Sequence, residues 1–177
     1  MTEVCIKLKT PLDIKQISSL KAGDIVSLSG TVLGARDAAH RRMALSIKNG
    51  EKLPVNLKNA VIFYLGPSPA PPGKVSGSIG PTTSARMDKY SQVLLGKGLK
   101  AMIGKGKRSS EIKELLKKYK SVYFIAPGGV AAYLSKKVKK IETVAYHDLG
   151  PEAIYSLEVE NFPLIVAYDI FGGDIFK

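Results

Sequence analysis

The feature that most restricts the fold is the alternation of helix-like and strand-like segments in the second half of the chain. Short apolar segments rich in β-branched and aromatic residues follow longer amphipathic ones. The predicted helices cover residues 83–96, 109–119 and 129–136, and the predicted strands cover 100–103, 122–126 and 141–146. Strands joined by helices form parallel crossovers. This half therefore predicts an α/β fold, a layered sheet with flanking helices.

The remaining segments add strands before and after this alternation. Strands are predicted at 3–9, 25–33 and 61–65, and the last third returns to β structure at 153–159 and 164–169. Asp37 is predicted to cap a helix that runs to about Lys48.

The Pro/Gly-rich run 66–73 is compatible with neither a helix nor a central strand. It predicts a surface loop or a hinge that allows the domain to swing. At 177 residues, 45% of them hydrophobic, the chain predicts a single domain over 1–177 with one core.

The chain has neither an apolar run of the roughly 20 residues that span a membrane nor a basic-then-apolar leader at its start. We therefore expect a cytoplasmic protein without a membrane segment.

The cysteine count limits metal chemistry. Cys5 is the one cysteine, and the two histidines are His40 and His147. A thiolate-held zinc or iron–sulfur centre needs about three or four cysteines. We expect no metal site made by this chain alone, so the ligands of any such centre must come mostly from another chain.

Charge is distributed unevenly along the sequence. Residues 1–140 contain 26 Lys and Arg against 8 Asp and Glu, a net charge of +18, whereas residues 141–177 contain 1 against 7. So basic a segment favours an anionic partner: nucleic acid, a small anion or an acidic chain. Lysines near helix ends are also typical of a solvated face without chemistry.

Three loops combine glycines with cationic side chains, at 34–42, 80–88 and 104–110. Each lies just past a predicted strand or at the start of a predicted helix, where α/β folds place binding sites. Arginine forks and free backbone N–H groups bind carboxylate or phosphate. Taken singly, each loop is also compatible with a structural role.

Several other functions are not supported by the motifs present. The run 98–106 has a spacing one residue too long for a phosphate-binding loop, and Gly106 replaces the magnesium-binding Ser or Thr. The run 77–80 lacks the spacing of an esterase nucleophile elbow, and the paired aromatic and basic residues of an RNA-binding sheet are absent.

Taken together, the three loops and the segment 142–169, with its run His147-Asp148-Leu149-Gly150-Pro151-Glu152, resemble a known family. In this order they resemble the β subunit, or fused C-terminal domain, of iron–sulfur class I fumarate hydratases and the related L-tartrate dehydratases. The resemblance covers essentially the whole chain.

The resemblance implies a swivelling β/β/α domain and a hydro-lyase reaction, the reversible addition of water to fumarate to give L-malate. It also implies a [4Fe–4S] cluster that acts as a Lewis acid and is held by cysteines of a separate α subunit, not by this chain. The chain is then active only in a hetero-oligomer with that partner.

The resemblance further implies roles for individual residues. Arg36, Arg86 and Lys105 correspond to the cations that bind the carboxylates of a small dicarboxylate substrate. Thr82 corresponds to the residue that takes a proton from carbon, although a threonine hydroxyl needs a neighbouring carboxylate to relay that proton. The residues expected to support these groups or line the subunit interface are Asp37, His40 and Thr83.

Two alternatives stay open. L-tartrate or another hydroxy diacid can replace fumarate as substrate, because such diacids differ by a hydroxyl that few contacts discriminate. A non-catalytic module that binds nucleic acid is the alternative from another class, and it is suggested only by the charge of residues 1–140.

Overall fold

The computed structural model describes residues 5–126 and 131–177, and within these ranges the chain forms seven β-strands, five α-helices and two 3₁₀ turns. The strands are β1 (Ile6–Lys9), β2 (Ile25–Gly34), β3 (Val61–Phe63), β4 (Ala101–Gly104), β5 (Val122–Ile125), β6 (Val138–Ala145) and β7 (Ile154–Tyr168). The α-helices are α1 (Ile14–Ser18), α2 (Asp37–Lys48), α3 (Asp88–Gly96), α4 (Ser110–Tyr119) and α5 (Ala131–Lys136). The 3₁₀ turns are Ser84–Met87 and His147–Glu152.

The sheet closes on itself. Strands β1 to β5 pair in parallel in chain order, and β7 runs antiparallel to β2, β5 and β6. Because β7 pairs with both β5 and β2, the pairings β2-β3-β4-β5-β7 form a ring. β1 and β6 are attached to this ring as edge strands.

Both faces of the sheet are buried, so the described residues contain two hydrophobic clusters rather than the one core expected from chain length. In β3, Val61 and Phe63 belong to an inner cluster that includes residues of all five ring strands. Ile62 and the following Tyr64 belong to an outer cluster that α2, α3 and α4 cover. This division follows from the alternation of side chains along a strand.

The parallel arrangement of β2 to β5 confirms the predicted crossovers, and the sheet with its flanking helices confirms an α/β fold. The predicted serine cap is also confirmed, since the Ser109 hydroxyl accepts the backbone N–H of Ile112 at the start of α4. The prediction that Asp37 caps α2 is wrong. Arg36 is the N-cap residue, and Asp37 lies in the first turn with its carboxylate paired elsewhere.

The prediction of two strands at the end of the chain is also wrong, because β7 is one strand of 15 residues. Asn161 and Pro163, residue types that favour turns, lie between the two predicted strands, and Asn161 has a φ of 50° in the structure. In the structure the strand bulges here, and pairing with β2 continues on both sides of the bulge.

Other boundaries differ by smaller amounts. Helix α1 was not predicted, and the predicted helix 83–96 is divided between a 3₁₀ turn and α3. The strand predicted at 141–146 is longer in the structure, since β6 begins at Val138. Residues 3–4 and 129–130, at the starts of a predicted strand and a predicted helix, lie outside the described residues.

The Pro/Gly-rich run 66–73 has no regular secondary structure and folds back on the chain. The backbone N–H of Ser68 donates to the carbonyl of Ser78 at 3.3 Å, and that of Ser78 donates to the Ser68 hydroxyl at 2.8 Å. These bonds fit the predicted ordered loop, while its hinge motion stays a prediction. Of the helices in the described ranges, none has the length and apolar character needed to cross a bilayer.

Candidate functional site

The three polar loops meet at one edge of the ring. The loop 34–42 follows β2, and the loop 104–110 follows β4. Between them, the loop 80–88 returns to the end of β3, where the N–H of Thr82 donates to the carbonyl of Tyr64 at 2.8 Å. Because β2, β3 and β4 are parallel neighbours, their carboxyl ends lie at the same edge.

An ion pair connects the first two loops. Arg86 places its Nε 3.0 Å from Oδ1 of Asp37, and its Nη2 donates to Oδ2 of the same carboxylate at 3.1 Å. The Arg86 side chain is 51% exposed. Its guanidinium is therefore held in one orientation and is still accessible from solvent.

Arg36 is held by a carboxylate from the C-terminal part of the chain. Its Nε lies 3.1 Å from Oε1 of Glu152, an ion pair in which the Nε–H forms no hydrogen bond to the described residues, and the two side chains are 28% and 31% exposed. The Arg36 guanidinium also lies against the backbone of Gly66, where a Cβ atom would come within 2.9 Å of Cζ. Any larger residue at position 66 would displace this guanidinium.

Lys105 is joined to the second loop through backbone contacts. Thr83 and Lys105 form an isolated parallel bridge, in which the N–H of Ser84 donates to the Lys105 carbonyl at 3.2 Å. The Lys105 side chain is exposed, and its ammonium forms no ion pair with the residues that the structure describes. The structure thus brings Arg36, Arg86 and Lys105 to the same end of the sheet.

Thr82 lies directly beside the end of β3. Its Oγ1 donates to the Tyr64 carbonyl at 3.2 Å, the same oxygen that accepts its backbone N–H. The side chain is half-buried, and no carboxylate of residues 5–126 and 131–177 hydrogen-bonds to it. The Thr82 hydroxyl therefore has lone pairs that can accept a proton. Among the described residues, however, no base is bonded to it that could take the hydroxyl's own proton at neutral pH.

His40 is buried behind Arg36. Its Nδ1 lies 3.0 Å from the Arg36 carbonyl, and since a carbonyl only accepts, this nitrogen carries the proton. Its ring meets that of Tyr64 edge to face, with centroids 5.2 Å apart. Burial lowers the pKa of His40 to about 4, and the positive charge of Arg108 adds to this, although the hydrogen bond to Arg36 opposes it. His40 is therefore neutral at pH 7 and supports the backbone at Arg36.

Arg108 is the charged residue of these loops whose role sequence reasoning missed. Its side chain is fully buried, paired through Nε with Asp88, and donates from Nη2 to the Ser91 hydroxyl at 2.8 Å. The guanidinium carbon lies 5.3 Å from the ring centroid of Tyr64 and 5.2 Å from that of Tyr123. Arg108 thus connects the third loop to the start of α3. The sequence carries no sign of this burial, because arginine is almost always exposed unless paired.

Two other contacts of the site were also missed. In the sequence, Gly66 indicates only the start of the Pro/Gly-rich loop, and its contact with the Arg36 guanidinium is not predictable. Glu152 belongs to a segment that carries the family resemblance, but nothing local indicates that it reaches Arg36.

The grooves on the surface lie mainly beside the site. One, of about 590 Å³, lies between the segment 71–78 and the region of α5 and β6. A second, of about 300 Å³, is lined by Pro67, Pro151 and Tyr155 near Arg36. Arg86 and Lys105 line neither of these two grooves, and both side chains are exposed at the surface.

The residues present do not fit an iron–sulfur cluster. Cys5 is exposed, and it is the single cysteine of the sequence. Across residues 5–126 and 131–177, no group of three or more His, Cys, Asp or Glu is arranged to hold a metal ion.

Comparison with known proteins identifies relatives over nearly the full chain. The family model described as Fumarase C-terminus matches residues 1–177. A proposed L(+)-tartrate dehydratase β subunit of Methanocaldococcus jannaschii is 42% identical over 169 residues, which are 92% of this chain and 87% of that protein. The L(+)-tartrate dehydratase β subunit of Escherichia coli K12 is 33% identical and is covered over 85% of its length.

The chain is also similar to longer proteins. The aerobic class I fumarate hydratase of E. coli K12 is 39% identical over 178 residues, and fumarate hydratase 2 of Leishmania major is 38% identical over 180. The chain spans about a third of the length of these two enzymes. The relatives are thus named as fumarate hydratases and tartrate dehydratase β subunits, and this chain belongs to the Fumarase C-terminus family.

Proposed function

We propose that this chain is the carboxylate-binding half of a hydro-lyase that adds water reversibly to fumarate to give L-malate. The observation that carries the proposal is the orientation of two arginines at one sheet edge. Arg86 pairs with Asp37 through its Nε and Nη2, and Arg36 places its Nε 3.1 Å from Oε1 of Glu152. Each guanidinium is thus ion-paired on its Nε side with a carboxylate of the chain itself.

The remaining edge of each guanidinium suits a substrate carboxylate. A guanidinium has five N–H donors, and its Nη1 and Nη2 donate two parallel hydrogen bonds to a carboxylate. Neither Arg36 nor Arg86 makes a hydrogen bond from Nη1 within the described ranges. With the exposed Lys105 ammonium nearby, the site offers three cations to a substrate with two carboxylates.

These cations also favour the reaction itself. Removal of a proton from the carbon beside a carboxylate builds negative charge on that group. Cations already held in place by Asp37 and Glu152 stabilise this charge without reorganisation during the step.

Thr82 is placed to take part in the proton transfer only with help. Its hydroxyl hydrogen is directed to the Tyr64 carbonyl, which is not a base at neutral pH. A proton taken up at Thr82 Oγ1 must therefore be matched by release of its own proton to a carboxylate from elsewhere. We propose that a partner chain supplies that carboxylate.

The same partner, an α subunit, is proposed to hold the [4Fe–4S] cluster. The donor set of this chain does not fit the cluster, and the cations face open surface that a second subunit can cover. The functional unit is then a hetero-oligomer in which the site forms between two chains.

L-tartrate is the second candidate substrate. It is favoured by the 42% and 33% identities to tartrate dehydratase β subunits, each covered over at least 85% of its length. Both substrates carry two carboxylates, so the same three cations suit both. Discrimination then depends on contacts to the hydroxyl groups.

The direct test is to co-express the chain anaerobically with its cluster-carrying partner and to assay fumarate, L-malate and L-tartrate side by side. Wild-type complex is expected to interconvert fumarate and L-malate, or to dehydrate L-tartrate to oxaloacetate if the second candidate is correct, and the chain alone is expected to convert none of the three acids. Arg36→Ala and Arg86→Ala are each expected to lower kcat/KM by about 10- to 100-fold, because each removes a charge-assisted pair of hydrogen bonds.

Arg41→Ala is the matched control. Arg41 lies in the first loop and is exposed, and it forms no ion pair with the residues described by the structure. Its variant is expected to match wild type. Wild-type activity in both Arg36→Ala and Arg86→Ala would refute the proposed binding site. Turnover by the chain alone would refute the proposal that the site forms between two chains.

A further inference from the structure

Three buried tyrosines direct their hydroxyl groups to the loop that carries Lys105. Tyr64 follows β3, Tyr123 lies in β5, and Tyr168 is the last residue of β7. All three are buried in the outer cluster. The Tyr123 hydroxyl donates to the Gly106 carbonyl at 2.9 Å. The Tyr168 hydroxyl accepts the backbone N–H of Arg108 at 2.8 Å. The Tyr64 hydroxyl lies 3.3 Å from Nη1 of Arg108.

A chain of hydrogen bonds connects one of these tyrosines to Lys105. The N–H of Lys105 donates to the Ser84 hydroxyl at 3.0 Å, and the Ser84 and Tyr123 hydroxyls are 2.9 Å apart. Since Tyr123 donates its proton to Gly106, the Ser84 hydroxyl donates to Tyr123. The order is Lys105 N–H, Ser84 hydroxyl, Tyr123 hydroxyl, Gly106 carbonyl, and each hydroxyl both accepts and donates one bond. We name this series the hydroxyl chain.

The packing leaves the hydroxyl chain little freedom. Ser84 and Tyr123 are both fully buried. A Cβ at Gly104 would overlap the Ser84 hydroxyl, so glycine is what allows this contact. Burial raises the pKa of Tyr123, so its hydroxyl keeps the proton that it donates.

The hydroxyl chain spans two of the loops that form the site. Ser84 lies two residues after Thr82 and two before Arg86, and it is hydrogen-bonded to Lys105 in both directions. The position of the Lys105 backbone relative to Arg86 thus depends on Ser84, and the orientation of Ser84 depends on Tyr123.

We propose that Ser84 and Tyr123 are positioning residues that hold Lys105 in place relative to Thr82 and Arg86, without touching the substrate. The effect of these residues on substrate binding rests on the function proposed above, in which Lys105 contacts the substrate. Their effect on the position of the Lys105 loop does not depend on that function, so the loop position and the substrate binding can be tested separately.

The experiment compares Ser84→Ala, Tyr123→Phe and the double variant with wild type. The matched control is Tyr119→Phe, which removes the same atom from a tyrosine packed against the same cluster. The Tyr119 hydroxyl makes no hydrogen bond to the described residues, so this control leaves the loops unchanged.

The first readout is amide hydrogen exchange at residue resolution in the full chain. Ser84→Ala is expected to speed exchange at Lys105 about tenfold, because the N–H loses its acceptor. Tyr123→Phe is expected to speed exchange at Lys105 as well, but less than Ser84→Ala does. The double variant is expected to exchange little faster than Ser84→Ala, because both residues belong to the same series of hydrogen bonds. Exchange in the inner cluster, for example at Phe63, is expected to stay at the wild-type rate in all variants.

The second readout is steady-state kinetics of the complex with the cluster-carrying partner. Misplacement of Lys105 is expected to raise KM for the diacid about fivefold to tenfold in Ser84→Ala, with a smaller change in kcat. Tyr119→Phe is expected to keep both constants.

The two readouts separate the possible failures. Wild-type exchange at Lys105 in both single variants would overturn the positioning role. Faster exchange spread equally over the whole chain would overturn it too, since that is general destabilisation. Faster exchange confined to the loop with an unchanged KM would support the positioning role and refute the proposed contact of Lys105 with substrate.

Discussion

At the scale of single residues, the orientation of the arginines in the site is determined by the residues that contact them. Asp37 and Glu152 each hold an arginine by its Nε side, and His40 supports the carbonyl of Arg36. Gly66 gives the Arg36 guanidinium the space that it occupies. The orientation in which each arginine can bind a carboxylate therefore depends on residues that are not themselves expected to contact the substrate.

Gly66→Ala tests this dependence. The added methyl group would meet Cζ and Nε of Arg36 at 2.9 Å, so the guanidinium must move. We expect KM for the diacid in the reconstituted complex to rise about tenfold, with little change in the free energy of unfolding. The control is Gly96→Ala, where the nearest atom to the new Cβ is 3.8 Å away. Equal kinetics in the two variants would contradict the role of Gly66.

His40 predicts a specific dependence of stability on pH. Its pKa is about 4 in the folded protein and 6.5 in the unfolded chain, so between these values the unfolded chain binds more protons. Stability is thus full above pH 6.5 and is lost as pH falls toward 4. The expected loss is about 3 kcal/mol.

Urea unfolding at pH 7, 6, 5 and 4 measures this loss. His40→Gln removes this titrating group, and its free energy of unfolding is expected to fall less over the same range, because only carboxylates with a lowered pKa, such as Asp169 and Asp174, then lose stabilisation toward pH 4. A wild-type loss no larger than that of His40→Gln would contradict the burial of a neutral histidine. The charges that act on His40 in the structure are those of Arg108 and Asp37.

At the scale of elements, two long strands build the ring by changing neighbours halfway. The first half of β2 pairs with β1 and its end pairs with β3, while β7 covers its other side throughout. In the same way, the first half of β7 pairs with β6 and its end pairs with β5. The register shift between Leu28 and Gly30 marks the bulge in β7, where two residues of β7 lie opposite one residue of β2 and the sheet bends. This bend helps five strands to close around the inner cluster.

Gly30→Ala tests the bend. Gly30 has a φ of 109°, and a Cβ there would collide with the Thr10 hydroxyl. Backbone strain and overlap together are expected to lower the free energy of unfolding by about 3 kcal/mol. Gly50→Ala is the matched control, because φ is 72° and the described residues leave its Cβ free space, so only about 1 kcal/mol is expected. Equal losses in urea titrations of the two variants would show that the collision has no effect.

At the scale of the whole molecule, the charge asymmetry of the sequence is partly cancelled by folding. Acidic residues of the tail reach basic residues of the first 140 positions in five ion pairs. They are Arg36–Glu152, Arg42–Asp148, Lys113–Asp174, Lys139–Glu160 and Lys140–Glu142. The positive charge is therefore interrupted by carboxylates instead of forming one continuous basic face.

This interruption predicts weak binding to nucleic acid. At about 150 mM KCl, sub-micromolar chain is expected to leave a duplex DNA and a single-stranded RNA unshifted on a native gel, because non-specific binding depends on many phosphate contacts. A shift at this salt that disappears at higher salt would contradict the expectation and favour the nucleic-acid-binding alternative. The five ion pairs can be removed singly, for example with Asp148→Asn, to test whether they suppress binding.

Much of this molecule was predictable from local patterns. Strand and helix periodicity placed β2, α2 and α4 within a residue or two, since these elements bury faces with regular spacing. The three polar loops were also identifiable, because glycines and cations follow strands there. Local patterns failed at β7, where Asn161 and Pro163 read as a turn. Pairing with β2 on both sides of the bulge is a long-range contact that overrides the local signal.

The sequence by itself determined most strands and helices, the family and the cationic character of three loops, because these depend on side-chain chemistry and short-range spacing. The tertiary structure alone decided that the sheet closes and that Arg36 is held by Glu152, 116 positions along the chain. It also decided that Ser84 and Tyr123 join two loops through a buried series of hydroxyl groups. Such contacts join residues far apart in the chain, and their energy arises only after the strands between them have paired and excluded water.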